Sequence, residues 1–182
     1  MKTLIVLGVL FVCNVRINRP TPLILEKNEG ETRMWRPLPG DTLAPRFILK
    51  VDPVNGGSDH MALGTETFAP GDSIETHRHP SADEIILLQS GMARVHLGRV
   101  VRDVHPGAVV FIPINTSISF HFTGRDSSHI TFIFSSPGFE RYMRAESVRE
   151  GEKNVPLTKA ESDSLDKHFA HQVIYANSAI HD

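Results

Sequence analysis

The stretch Gly71–Gly91, GDSIETHRHPSADEIILLQSG, decides how this chain is read. It has the form G-x5-H-x-H-x4-E-x6-G and runs into four strong β-formers, Ile85, Ile86, Leu87 and Leu88. Side chains alternate across a strand, so His77 and His79, two apart, share one face. Pro80 cannot donate to a sheet ladder and closes that strand; a short polar turn comes next, and Glu84 opens the following strand. Ligands of a metal must converge to about 2 Å from one point, which facing side chains on adjacent strands achieve. Two imidazoles and one carboxylate leave a divalent ion with roughly one net positive charge and open positions. Water, dioxygen or an anionic group such as an enolate or carboxylate can fill them.

Outward from this stretch the chain is a series of short β-type segments. Strands are predicted near 47–52, 61–68, 73–78, 84–89, 92–97, 99–104, 108–112, 116–122 and 129–135. Their breaks are turn signals such as Asn55-Gly56-Gly57, Pro70-Gly71, Ser90-Gly91, Gly98, Pro106-Gly107 and Gly124-Arg125-Asp126. Many short strands with Gly-containing turns indicate an all-β sandwich or barrel rather than a parallel α/β sheet. After Pro137-Gly138, residues 139–144 read as a short helix. Thr158 and Glu161 have capping-box form and start another helix reaching about Ala170, packed on the outside of the β body. The organisation is an apolar leader or signal peptide over 1–20, an N-terminal arm over 21–45, a β-barrel over 46–136 and a helical extension over 137–182. The arm is rich in Pro, Gly and charge, and Trp35 within it is expected to plug an apolar edge of the barrel.

The bulk properties remove several classes. A chain of 182 residues suits one domain with a real core. A net charge of −2 gives no footprint for nucleic acid or an anionic membrane. No phosphate-loop, dinucleotide-binding or heptad pattern occurs. The single cysteine, Cys13, excludes a disulfide framework and argues against a zinc-thiolate site. Lys2 and the apolar run 4–12 match the first two parts of an export signal, too short to span a bilayer and lacking a small-x-small cleavage pair. Export to the periplasm or medium is the favoured reading, with a cytoplasmic chain and a buried first strand the alternative.

The stretch 71–91 resembles the first signature motif of the cupin superfamily, matching both glycines, both histidines and the glutamate. GAVVFIPINTSISF, 107–120, is similar to the second motif, with Gly107 and Pro113 in place. FIFSSPGFERYMR resembles the segment that leaves the barrel in single-domain bacterial cupins, some of them compared to quercetin dioxygenases. The resemblance covers roughly residues 60–135 and implies a small antiparallel jelly-roll barrel. It also marks three departures. The usual fourth ligand, a histidine, is replaced by Ile118, a glycine by Asn115 and an asparagine by Phe122. At most His77, His79 and Glu84 remain to bind the metal. If Ile118 faces inward, Phe120 and Phe122 do too, and His121 points out; His129, on the next predicted strand, is expected to pair with it across the hairpin. Only a bulge would turn either one inward.

Glu66 and Glu75 are further inward candidates, Glu75 two before His77, with solvent the favoured place for Glu75 at the barrel mouth. His168 and His171 read as surface. Ile86, Leu88, Val110, Ile112, Ile118, Phe120, Phe122, Phe132 and Phe134 are expected to line the barrel, giving a largely apolar cavity with a metal at one end. These readings imply a mononuclear metal-dependent oxygenase acting on a small aromatic or enolic substrate. Iron is the first-choice ion, with manganese, nickel or zinc behind it; three ligands on one face form the two-His-one-carboxylate set of non-haem iron oxygenases. The alternatives are a non-enzymatic small-ligand or metal-binding module and a metal-dependent isomerase. No partner beyond a small molecule is indicated, and a homodimer is expected from fold class alone.

Overall fold

Alternation of apolar and polar side chains between turn signals produces two facing antiparallel sheets. The structure, a computed structural model, describes residues 20–37 and 45–176. The export-signal segment and Cys13 lie outside the described residues, apart from Pro20. In chain order the elements are β1 (Glu31–Trp35), β2 (Arg46–Val51), β3 (Ala62–Phe68), β4 (Ser73–Arg78), β5 (Glu84–Ser90), β6 (Ala93–Leu97), β7 (Val100–Val104), β8 (Val109–Ile112), β9 (Ile118–Phe122) and β10 (Ser128–Phe134). Helix α1 (Phe139–Ala145), β11 (Ser147–Arg149), α2 (Lys159–His168) and β12 (Ile174–Tyr175) complete them. One sheet has the order β11-β1-β2-β3-β10-β5-β8 and the other β12-β4-β9-β6-β7. The result is a jelly roll with a helical C-terminal extension.

The expected interior set is all buried between the sheets, from Ile86 and Leu88 to Phe132 and Phe134. Phe122, which stands where the motif this segment resembles has an asparagine, stacks on Phe68 with ring centroids 4.2 Å apart. Such pairs contribute about 0.5–1.5 kcal/mol beyond the area they bury. The turn between β5 and β6 requires glycine: Gly91 has φ +83°, and a Cβ there would lie 2.6 Å from Ser128 Cα.

Three elements differ from the sequence reading. The segment read as an arm contains β1, which adds to β2 and β11. It is hard to recognise because its inward residue is Arg33, only 8% exposed. Burial of that guanidinium is satisfied by Ser147 Oγ at 2.6 Å, the Ser147 carbonyl at 2.9 Å, the Arg144 carbonyl at 3.0 Å and Glu31 at 2.8 Å. Trp35 does cover an apolar edge, its ring 4.8 Å from Phe47. The second difference is that β9 and β10 belong to different sheets, so His121 and His129 are not cross-strand partners. His121 Nδ1 meets Ser73 Oγ at 3.0 Å, and His129 Nδ1 meets Thr67 Oγ1 at 2.9 Å.

The third difference is what the extension does. Helix α2 begins at Thr158 with the expected capping box and leaves His168 and His171 exposed. It packs over one mouth of the barrel, where Tyr142 of α1 donates to Asp166 Oδ1 at 3.3 Å. The chain then returns as β12, pairing Tyr175 with His77 and Ile174 with Arg78.

Candidate metal centre

His77 sits near the end of β4, His79 just beyond it and Glu84 at the start of β5, so the turn at Pro80–Asp83 sets their approach. That turn is tied down from three sides. Asp83 N–H donates to Ser135 Oγ at 3.0 Å, Asp83 Oδ1 accepts from Ile114 N–H at 2.9 Å, and the His79 carbonyl accepts from Asn115 N–H at 2.9 Å. Asn115 has φ +61°, which explains the glycine usual at this position: asparagine is one of the few other residues that tolerates the left-handed region.

The three side chains meet. One ligand atom from each of His77, His79 and Glu84 lies within 4.8 Å of the others, and the residues are only 7%, 2% and 4% exposed. His79 Nε2 and Glu84 Oε2 are 3.5 Å apart. Both rings are oriented from behind. His77 Nδ1 lies 2.7 Å from the Glu75 carbonyl and His79 Nδ1 lies 2.9 Å from the Gln172 carbonyl. A carbonyl can only accept, so each Nδ1 carries the proton and each Nε2 presents a lone pair. This is how metal-binding histidines are held.

His79 Nε2 and Glu84 Oε2 are buried without a hydrogen-bond partner among the described residues. Leaving such groups unpaired costs about 1–3 kcal/mol each, more when charged. A divalent cation between them removes that cost, and the donor set of two neutral imidazoles and a carboxylate suits one. The residues therefore fit a metal. Without one, the electrostatics are those of stranded groups. Burial pushes the Glu84 carboxyl up to about 8, with repulsion from Glu66 adding to it. Burial holds His79 down at about 3, helped by repulsion from His77 and opposed by the Gln172 carbonyl. Burial lowers His77 as well, against the Glu75 carbonyl.

Ile118, in the fourth-ligand position, is fully buried directly across from His77. An Ile118→His protein is expected to hold a divalent ion more tightly than the parent by at least the roughly 10–100-fold that even outer partners of metal ligands are worth. Competition titration against a chelator measures this, and unchanged affinity would show that position 118 does not face the site.

Glu75 is exposed. Ile74 pairs with Phe120 and His77 with Ile118, so Glu75 and Thr76 of β4 together face the single residue Ser119 of β9. This bulge breaks strict alternation between Glu75 and His77, and Glu75 stands at the solvent-exposed rim of the cavity that His77 enters. Glu66 does reach the interior: its Oε1 accepts from Trp35 Nε1 at 2.6 Å, and burial, partly opposed by that bond, pushes it up to about 7. Glu66, Glu75, His77 and Glu84 all line one cavity of about 700 Å³ between the barrel and the C-terminal helices. Its lining is mostly apolar, as the sequence reading has it, but these carboxylates stand in the wall. Glu146 from the end of α1 and Asp166 from α2 join them, and only the placement of the extension reveals this.

A double-stranded β-helix with two histidines and a glutamate converging at its mouth defines the class. Residues 64–134 match the family model described as Cupin domain, so this part of the barrel is similar to that family. Among solved structures, a predicted oxalate decarboxylase from Thermotoga maritima superposes with a TM-score of 0.55 at 16% identity, over 63% of this chain and 100% of that one. That likeness shows the shared fold. An uncharacterized conserved protein with a double-stranded β-helix domain from Klebsiella pneumoniae gives 0.46 at 18% identity, over 56% of this chain and 77% of that one. An oxalate oxidase in complex with the substrate analogue glycolate gives 0.46 at 22% identity and 50% of this chain; the alignment spans about half, 53%, of that enzyme. No curated protein sequence matches the chain.

Proposed function

We propose that this protein is a mononuclear metal-dependent oxygenase acting on a small aromatic or enolic compound, with His77, His79 and Glu84 holding the ion. The observation that supports this is the pair of imidazoles locked in one tautomer, with His79 Nε2 and Glu84 Oε2 left unpartnered beside each other. When bound, a redox-active divalent ion with open positions orients substrate against dioxygen. Iron is the first choice on the donor set, with manganese or nickel behind it. Zinc would instead point to isomerisation or hydrolysis through a polarised carbonyl.

The chain's own groups have separable tasks. Gln172 and Glu75 carbonyls keep the imidazoles facing inward. Phe132, Phe139 and Ile86 give the cavity an apolar floor on which a planar substrate can lie. The Glu66 carboxyl, held near neutrality by burial and steadied by Trp35, can give or take a proton at a substrate oxygen.

Dioxygen uptake tests the reading. Protein loaded with ferrous iron is expected to consume dioxygen with catechols, flavonols or β-diketones, and metal-stripped protein is not. The second reading, a non-enzymatic binding module, is favoured by Ile118 in the ligand position. Ligand binding that survives metal stripping, with no uptake from any loaded form, would establish that module instead.

A further inference from the structure

The cavity has two chemically different ends. At one, His77 and Glu84 face inward, with Glu84 only 4% exposed and its Oε2 unpartnered, which marks this as a place where a ligand sits. Tyr175 joins that end to the other, its ring 5.6 Å from His77 and 6.1 Å from Tyr142. At the far end Tyr142 donates to Asp166, and Glu146 Oε1 is buried with no partner. The rings of Trp35 and Phe139 lie 6.4 Å and 5.5 Å from that of Tyr142.

The charge balance of this wall is one-sided. Six carboxylates line the cavity (Glu66, Glu75, Glu84, Glu146, Asp163 and Asp166) against two basic side chains, Arg36 and Lys159. Lys159 Nζ is committed to Asp163 at 2.7 Å, and Arg36 Nε donates to the Val155 carbonyl at 2.9 Å. No ion pair joins Glu66, Glu146 or Asp166 to a base among the described residues. Burial, with repulsion from Asp166, pushes Glu146 up to about 7, opposed by Tyr142 and by the positive charge of Arg36. Carboxylates set among aromatic faces attract a cation through both Coulomb and ring-quadrupole forces. The same wall repels a small dicarboxylate.

We propose that the substrate carries a protonated amine that seats between Glu146, Asp166 and the rings of Tyr142 and Trp35, while its oxygen-bearing end lies toward His77 and Glu84. This inference rests on the proposed function only for the placement of the oxygen-bearing end.

Three catechols that share a ring and differ in the charge of the tail test it: dopamine, 4-methylcatechol and 3,4-dihydroxyphenylacetate. Their binding is measured by calorimetry without dioxygen, to the intact chain with and without iron. Dopamine is expected to bind at least about tenfold more tightly than the acetate compound, with the neutral one between, and about 0.5 M salt should narrow the gap. The preference should fall below about threefold in Glu146→Gln and in Glu146→Gln/Asp166→Asn, while metal content is unchanged. Equal affinities, including no binding of any of the three, or tighter binding of the acetate compound, overturn it. A preserved preference without dioxygen uptake sinks the oxygenase reading and leaves this inference standing. Uptake without the preference does the reverse.

Discussion

A His79→Ala protein is expected to lose its metal. His79 is 2% exposed, its Nδ1 is fixed by the Gln172 carbonyl and its Nε2 lies 3.5 Å from Glu84 Oε2. Removing it leaves His77 and Glu84, two donors on one side of the ion, and erases the preorganisation that the C-terminal segment provides. Metal per chain should drop from near one to below about a tenth after identical loading and desalting, since even loss of a supporting hydrogen bond costs about 10–100-fold in affinity. Glu84→Gln should behave similarly, because a neutral amide oxygen is a poorer donor and leaves the site without its only negative ligand. His121→Ala and His129→Ala are the controls: both rings lie outside the barrel, on different sheets, and their metal content should not change. Retention of full metal by the His79 variant, with loss in the His121 variant, would relocate the site.

The second large effect is on stability against pH in the metal-free protein. His79 titrates near 3 in the fold and near 6.5 unfolded, so the unfolded chain binds more protons between those values and stability rises with pH there. The carboxyls act in the opposite sense. Glu84 at about 8, and Glu66 and Glu146 at about 7, hold their protons in the fold well above the unfolded value of 4.5, so the stability they contribute is lost as pH rises through their folded values. Between about 4.5 and 6.5 His79 offsets only part of this loss, and from 6.5 to 8 only the carboxyls remain. Metal-free protein should therefore lose about 2–3 kcal/mol between pH 6.5 and 8. Metal takes the place of the proton on Glu84, so saturated protein should show a smaller decline, the part due to Glu66 and Glu146. A thousandfold excess over the dissociation constant adds about 4 kcal/mol. Thermal melts from pH 4 to 8.5, with and without metal, read this directly. Glu84→Gln should make the metal-free decline about half as steep, Glu66 and Glu146 carrying the rest; a curve that climbs through pH 8 and is indifferent to that substitution would refute the assignment of a stranded acid at position 84.

How much of this is visible in the sequence depends on the range of the interactions involved. Strand boundaries are local: turn glycines and alternation place β2 to β10 to within one or two residues. The convergence of His77, His79 and Glu84 is also local, because a five-residue step across one turn sets it. The interior position of Ile118 and the outward position of His121 come from the same alternation. What escapes is set by partners far along the chain. β1 hides because Arg33 is inward, tolerated only through Ser147 and Arg144, more than a hundred residues away. The bulge in β4 beside Glu75 depends on pairing with β9, which the local pattern does not contain, though the exposed place of Glu75 at the mouth is the one expected. Gln172, which aims His79, and Glu146 and Asp166, which charge the cavity wall, come from the extension, whose helices read from sequence alone as a surface coat. A backbone carbonyl leaves no side-chain signature, so no motif could have pointed to residue 172.

Elemental content of the wild-type chain, expressed without added metal and purified without chelator, decides whether the three ligands hold an ion. Close to one transition-metal ion per chain is expected, falling away in His79→Ala and Glu84→Gln. Material that stays free of such ions however it is grown, and that binds none when offered iron, manganese, nickel or zinc, would leave a β-barrel with a buried acid and no metal chemistry.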